Sequence, residues 1–281
     1  MELTEVLYSK KLAKNFLING DNKNSLSPFD RGLAFGDGVF RTFLIEDSKP
    51  KLWKIQYQKL SQDLKVIEIN PPSQKILLTD IKKLFPSKGI FIGKIIVTRG
   101  ESQTGYDFIK GIKPTRILLK IDFNKNKYDK LHKGVRLTTS KIKASHSSHA
   151  SIKHLNRLES VLARKNLSKD FFDAIMIDDN GNICDCARSS LFVRYDRILY
   201  TCNNKSFGIH GVTKKIIEDN IKKLNLTIDY SPISLNQLEK ADEIIVSNSI
   251  VGALQVLGFK NKKWNKGTMA KSIMSLLNES D

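Results

Sequence analysis

Short alternating apolar stretches, not long apolar runs, set the pattern of the chain. Phe16-Leu17-Ile18 runs into Asn19-Gly20-Asp21, so a short strand that turns at once is expected there. After Gly38, the stretch Val39-Phe40-Arg41-Thr42-Phe43-Leu44-Ile45 alternates as a strand does. Leu52, Ile55, Leu60, Leu64 and Ile67 recur at roughly helical spacing and predict a helix from Trp53 to about Ile67, with a second over Gln74 to Phe85. Gly89 to Arg99 and Thr115 to Phe123 are rich in β-formers and read as neighbouring strands joined by a polar loop. Residues 1–14 read as a variable lead-in. From about 15 to 125 the chain is therefore expected to be α+β with largely antiparallel strands.

The pattern restarts near Lys133. Val135 to Thr139 is strand-like, and Lys141 to Ser151 reads as a polar loop in which His146 and His149 are solvated. Leu155, Leu158, Val161 and Leu162 then mark one apolar face of a helix, with Asn156 and Glu159 in the form of a capping box at its start. Phe172 to Ile177 and Ile183 to Cys186 flank Asp179-Asn180-Gly181, a hairpin signal, and Leu191 to Arg194 with Ile198 to Thr201 continue a meander. Gly211-Val212-Thr213 opens a helix with Ile216, Ile217, Asn220, Ile221 and Leu224 as its buried face. A strand at about Leu226 to Tyr230, a short helix from Leu235 to Lys240 and a strand from Glu243 to Ser247 close the domain. The division is expected at 1–127 and 128–281.

Composition narrows the class. With 281 residues, 40% hydrophobic and 27% charged, the chain can bury one large or two modest cores and is expected to be soluble and folded. The formal charge of +18 raises nucleic acid as a partner, but the lysines are scattered and no arginine-rich tract accompanies them. No nucleic acid and no membrane partner are expected. Cys184, Cys186 and Cys202 lack a second pair at zinc-site spacing, so reduced thiols in a cytoplasmic protein, without a metal, are expected. The first twenty residues mix acids and lysines, unlike a signal peptide.

Lys153 is the candidate for chemistry. It stands just before the expected helix start, where unpaired N–H groups and partial burial disfavour an ammonium and lower its pKa. A lysine of that kind serves as a Schiff-base nucleophile. Position alone does not separate it from the many surface lysines. Gly211-Val212-Thr213 offers free N–H groups and a hydroxyl at a helix start, which suit either a phosphate or an ordinary cap.

Five stretches, in this order and spacing, carry a resemblance: Asp30-Arg31-Gly32 with Phe35-Gly36-Asp37-Gly38, Lys153-His154-Leu155-Asn156-Arg157-Leu158, the hairpin around Asp185, Gly211-Val212-Thr213, and Ser247-Asn248-Ser249. Together the sequence resembles the fold-type IV pyridoxal-phosphate enzymes, which include branched-chain and D-amino acid aminotransferases and the aminodeoxychorismate lyases. The forms IKHLNRLESVLAR and GDGVFRTF are most similar to the lyases, which split 4-amino-4-deoxychorismate into 4-aminobenzoate and pyruvate. The resemblance implies two α+β domains with pyridoxal 5'-phosphate in the cleft between them, and a homodimer. It implies that Lys153 holds the cofactor and acts as general base, and that Thr42 faces the reaction.

The same resemblance puts Asp185 beside the cofactor's ring nitrogen, where the family usually has glutamate. It puts Val212, Thr213, Ser247 and Asn248 around the phosphate, with Lys59 where the family has arginine. Arg116 and Arg99 are the arginines nearest for the two substrate carboxylates. The motifs shared across the group leave a D-amino acid or branched-chain aminotransferase open. The charge and the changes at Lys59 and Asp185 leave open a nonenzymatic basic binding protein.

Overall fold

A computed structural model describes residues 15–281, and the lead-in expected at 1–14 lies outside the described residues. The described chain forms two units, one made of 15–123 with Ile152–Asn156 and the other of Asn124–Ser151 with Arg157–Asp281. The short segment bearing Lys153 thus belongs with the first unit, although the chain on either side of it belongs to the second.

The first unit contains β1 (Phe16–Ile18), α1 (Arg31–Phe35), β2 (Gly38–Glu46), β3 (Lys49–Pro50), α2 (Trp53–Val66), α3 (Gln74–Leu84), β4 (Ile90–Thr98) and β5 (Thr115–Asp122). Its sheet is antiparallel in the order β1-β5-β4-β2-β3, as the alternation predicted. Strand period decides what each β2 side chain meets. Val39, Phe43 and Ile45 point into a core shared with Leu60 and Leu64 of α2 and Ile81 of α3. Phe40, Thr42 and Leu44 lie on the other face and are half-buried. Across from them on β4, Ile96 pairs with Phe40 and Lys94 with Thr42.

Helix α1 is absent from the sequence reading, which saw only glycine turns. Asp30 caps it by accepting from the Gly32 N–H at 2.8 Å, and Gly36 ends it in the left-handed region at φ 65°. The left-handed backbone favours glycine there, and a Cβ at Gly36 would make the end of the Asn156 side chain turn away.

The second unit holds α4 (Lys125–Leu131), β6 (Val135–Thr139), α5 (Leu158–Arg164), β7 (Asp173–Ile177), β8 (Ile183–Cys186), β9 (Ser190–Tyr195), β10 (Ile198–Thr201), α6 (Val212–Asn220), β11 (Thr227–Asp229), α7 (Leu235–Leu238), β12 (Glu243–Asn248), β13 (Gly252–Phe259), β14 (Lys262–Lys263) and α8 (Met269–Glu279). Its sheet runs β11-β10-β9-β12-β13-β6-β7-β8, with β14 beside β13. β6 is parallel to both β7 and β13, and β10 is parallel to β11. The hairpin expected around Asp179-Asn180-Gly181 is β7–β8. The elements after Ser247 were not expected, although Met269, Ile273, Leu276 and Leu277 form the stripe that buries α8. Among the described residues, no helix is long and apolar enough to cross a membrane.

The helix after Lys153 departs from its expected form. It begins at Leu158 with Arg157 at its N-cap and no side-chain cap bond. The two capping-box residues are engaged elsewhere: Asn156 Nδ2 donates to the Gly36 carbonyl at 3.5 Å, and Glu159 accepts from the Ser145 N–H at 3.3 Å. Its apolar residues Leu158, Val161 and Leu162 are exposed, and Ala163 is the buried one.

Phe43 is fully buried at the centre of the first core, so Phe43→Ala is expected to lower stability by about 3–5 kcal/mol. Urea unfolding followed by tryptophan fluorescence checks it; an unchanged midpoint would contradict the packing.

Candidate active site

In the first unit, the Lys153 segment lengthens the sheet along the free edge of β2. The Phe40 N–H donates to the Lys153 carbonyl at 3.0 Å, the Leu155 N–H donates to the Gly38 carbonyl at 3.0 Å, and Val39 pairs with His154. A strand-like seat is stiffer than the loop end foreseen from sequence. It directs the half-buried Lys153 side chain over the Phe40 ring, with Nζ 4.5 Å from the ring centroid. Thr42 lies two residues along β2 and therefore on the same face as Phe40.

Beneath this surface is a buried charge cluster. Arg41 takes a core-facing position in the β2 alternation and is 2% exposed. An isolated guanidinium there would be costly, and Asp63 of α2 supplies the counter-charge. Asp63 accepts from Arg41 through Oδ2, from the Lys153 N–H at 3.1 Å through the same atom, and faces Lys59 Nζ at 3.5 Å through Oδ1. Burial pulls Arg41 below the ordinary guanidinium range, opposed by the charge and hydrogen bond of Asp63. Lys59, foreseen at the phosphate, is buried and directed towards Asp63 at this separation.

The two arginines foreseen for substrate are engaged with protein groups. Arg99 donates to Asp37 through Nε at 2.7 Å and Nη2 at 3.0 Å, and also to the carbonyls of Ile67 and Glu68. The ring of Phe108 covers its face at 3.8 Å. Arg116 donates to Asp80 at 2.7 Å. Arg31 also reaches Asp37 and gathers the carbonyls of Thr104, Gly105, Tyr106 and Asp107, which fixes the path of that loop.

In the second unit, α6 begins at Gly211 without a side-chain cap bond. A side chain added at Gly211 would meet nothing within 4 Å. Thr213 and Ser247 are buried and bring their hydroxyls within 3.4 Å of each other. Uncapped N–H groups, two hydroxyls and open space above a helix start suit a phosphate. Asn248 is less available than foreseen, because its Oδ1 accepts from the Ile250 and Val251 N–H groups at 3.0 and 3.1 Å.

Asp185, at the end of β8, is buried and accepts from the Leu191 N–H at 2.6 Å. Burial pushes its carboxyl up to about 7, partly opposed by the charge of the fully buried Lys214, whose Nζ donates to the Cys202 carbonyl at 2.5 Å. A carboxylate held this way is satisfied by a cationic ring nitrogen, the partner that pyridoxal phosphate presents, so the donor set fits that cofactor. Burial likewise pushes the Cys184 thiol up to about 12 and raises Cys186 and Cys202, so these free thiols are not poised as nucleophiles.

The sequence reading missed Asp63, Lys94 and Lys214. Lys59 and Asp63 stand at the i,i+4 spacing of a helical ion pair, which was a usable signal. Lys94 interrupts the apolar stretch FIGKIIV, which was another. Nothing local marked Lys214.

A family model for amino-transferase class IV matches residues 38–259. The chain is 26% identical to an aminodeoxychorismate lyase of Bacillus subtilis over 259 residues, covering 90% of this chain and 87% of that one. It is 23% identical to a D-alanine aminotransferase of Listeria monocytogenes over 248 residues, covering 86% and 84%. The crystal structure of 4-amino-4-deoxychorismate lyase from Pseudomonas aeruginosa superposes with a TM-score of 0.84 at 27% identity, covering 94% of this chain and 98% of that one.

Removing the Asp63 carboxylate leaves Arg41 buried without its counter-charge. Asp63→Ala is expected to destabilise the protein by about 3–5 kcal/mol, read as a lowered urea midpoint. The raised carboxyl of Asp185 carries a sign. Between the unfolded value of 3.8 and the folded value of about 7, the folded state binds the extra proton, so stability falls as pH rises. Cofactor-free protein should lose on the order of 2 kcal/mol between pH 5 and pH 7 through this group. Asp185→Asn should remove that slope, and equal slopes in both proteins would contradict it.

Proposed function

Because this chain belongs to the amino-transferase class IV family, whose members work with pyridoxal 5'-phosphate, we propose that it is a lyase converting 4-amino-4-deoxychorismate into 4-aminobenzoate and pyruvate. The observation that carries the reading is the seat of Lys153: its main chain is held by β2 and Asp63, and its ammonium shares a sheet face with Thr42. Similarity to lyases in both sequence and fold supports it.

In this reading Lys153 is the residue that would hold the cofactor, and its amine would take the proton from the substrate ring carbon bearing nitrogen. The bound cofactor supplies the electron sink that makes this proton removable. Thr42 donates a hydrogen bond to the ether oxygen on the adjacent carbon as the enolpyruvyl group departs. Loss of that proton and of the enolpyruvyl group leaves an aromatic ring, and the released enol becomes pyruvate. Asp185 would pair with the ring nitrogen; the N–H groups of Val212 and Thr213, the Ser247 hydroxyl and the Asn248 turn would hold the phosphate; Lys59 would add positive charge without an arginine's fork. Arg99 or Arg116 would have to leave its present carboxylate to bind a substrate carboxylate.

The reading extends to a cytoplasmic homodimer that supplies 4-aminobenzoate for folate synthesis. The exposed apolar side chains Leu158, Val161 and Leu162 support an interface, and the free thiols suit a reducing compartment.

The test is product analysis by chromatography, with purified protein, pyridoxal phosphate and fresh 4-amino-4-deoxychorismate. Equal amounts of 4-aminobenzoate and pyruvate are expected, and neither from Lys153→Ala. Absence of both from cofactor-loaded wild type would reject the lyase.

A further inference from the structure

The buried cations of the first unit, Arg31, Arg41, Lys59 and Arg99, each face a carboxylate, and half-buried Arg116 faces Asp80. Lys94 does not follow this rule. Its side chain is half-buried on β4, and among the described residues it makes no hydrogen bond or ion pair. Its Nζ lies over the Phe40 ring, 4.8 Å from the centroid. Burial pulls its ammonium below the ordinary lysine range, and no nearby carboxylate opposes that shift. A cation partly stripped of water and lacking a counter-ion is a place where an anion gains more than it would on an open surface.

Its position says which anion. Lys94 pairs directly with Thr42 across β2 and β4, so the two side chains share a face. On that face Lys94 is flanked by Leu119 of β5, and Phe40 pairs with Ile96. Lys94 and Lys153 reach the Phe40 ring from opposite sides of β2, one from β4 and the other from the segment on the free edge. Strands about 4.8 Å apart set these two backbones roughly 10 Å apart, with the two ammonium groups 4.8 and 4.5 Å from the Phe40 ring centroid. That frame suits a flat six-membered carbocycle with an amine at one end and a carboxylate at the other.

We propose that Lys94 binds the ring carboxylate of the substrate, opposite the amine-bearing carbon whose proton Lys153 takes, and so acts as a specificity-determining residue. This rests on the lyase reading and adds to it the anchor that Arg99 and Arg116, held by Asp37 and Asp80, do not offer in their present positions.

The test compares cofactor-loaded wild type, Lys94→Met and Lys94→Arg. Steady-state turnover of 4-amino-4-deoxychorismate is measured alongside binding of 4-aminobenzoate, its neutral amide and pyruvate by calorimetry. Lys94→Met is expected to raise KM and the 4-aminobenzoate Kd together by about 10- to 100-fold, with kcat changed only a few-fold. Binding of the amide and of pyruvate should stay within about twofold, the cofactor absorbance should persist, and Lys94→Arg should recover most of the loss.

Equal 4-aminobenzoate binding by wild type and Lys94→Met overturns the proposal while leaving the lyase standing. A loss confined to pyruvate, or to cofactor retention, assigns Lys94 to another anion and also overturns it. Wild type that forms no product removes the lyase reading and this proposal together, an outcome distinct from the others because wild-type turnover is read separately. If Lys94→Met has a lowered melting temperature, Lys94→Arg decides: arginine that folds normally and still loses 4-aminobenzoate as methionine does overturns the assignment.

Discussion

The carboxylate of Asp63 ties together three parts of the first unit that are far apart in sequence. It meets the guanidinium of Arg41 on β2, the ammonium of Lys59 one turn earlier on α2, and the main-chain N–H of Lys153. A buried carboxylate with a single partner is poorly satisfied, whereas one shared among two cations and an N–H donor has most of its lone pairs occupied. The energetic requirement is mutual. Arg41 can occupy a core-facing strand position because Asp63 is there, and the Lys153 backbone is fixed because Asp63 has an oxygen in reach. The sheet and the Lys153 main chain therefore share one buried anchor.

The second unit solves a related problem differently. Asp185 has an N–H donor from Leu191 but no salt-bridge partner within its cluster, and Lys214 acts on it only through space. Burial consequently holds this carboxyl well above the ordinary carboxylate range. A cation placed beside Asp185 would offset that burial. The start of α6 has the same character, since among the described residues no side chain caps it.

Much of this was legible from the residues. Alternation at Val39 to Ile45 and the periodic apolar positions of α2 were local signals, and local signals survive folding. The capping box at Asn156 and Glu159 was equally well formed in sequence, yet tertiary partners took both side chains. Lys153 could be named from its neighbours, but its strand-like seat on β2 joins residues more than a hundred positions apart. The engagement of Arg99 and Arg116 was illegible for the same reason, because an arginine's charge is visible in a sequence and its partner is not. Lys94 was overlooked because a lone lysine in an apolar stretch reads as an edge position until the pairing register assigns it a face.

Arg31 sets the course of a loop to which it does not belong. Its guanidinium donates to the main-chain carbonyls of Thr104, Gly105, Tyr106 and Asp107 and to none of their side chains. The route of the loop is thus written in a residue outside it, through atoms that every amino acid shares. Substitutions within the loop can change its chemistry while its course is preserved, so this stretch is free to diverge between descendants of the chain as long as Arg31 is inherited.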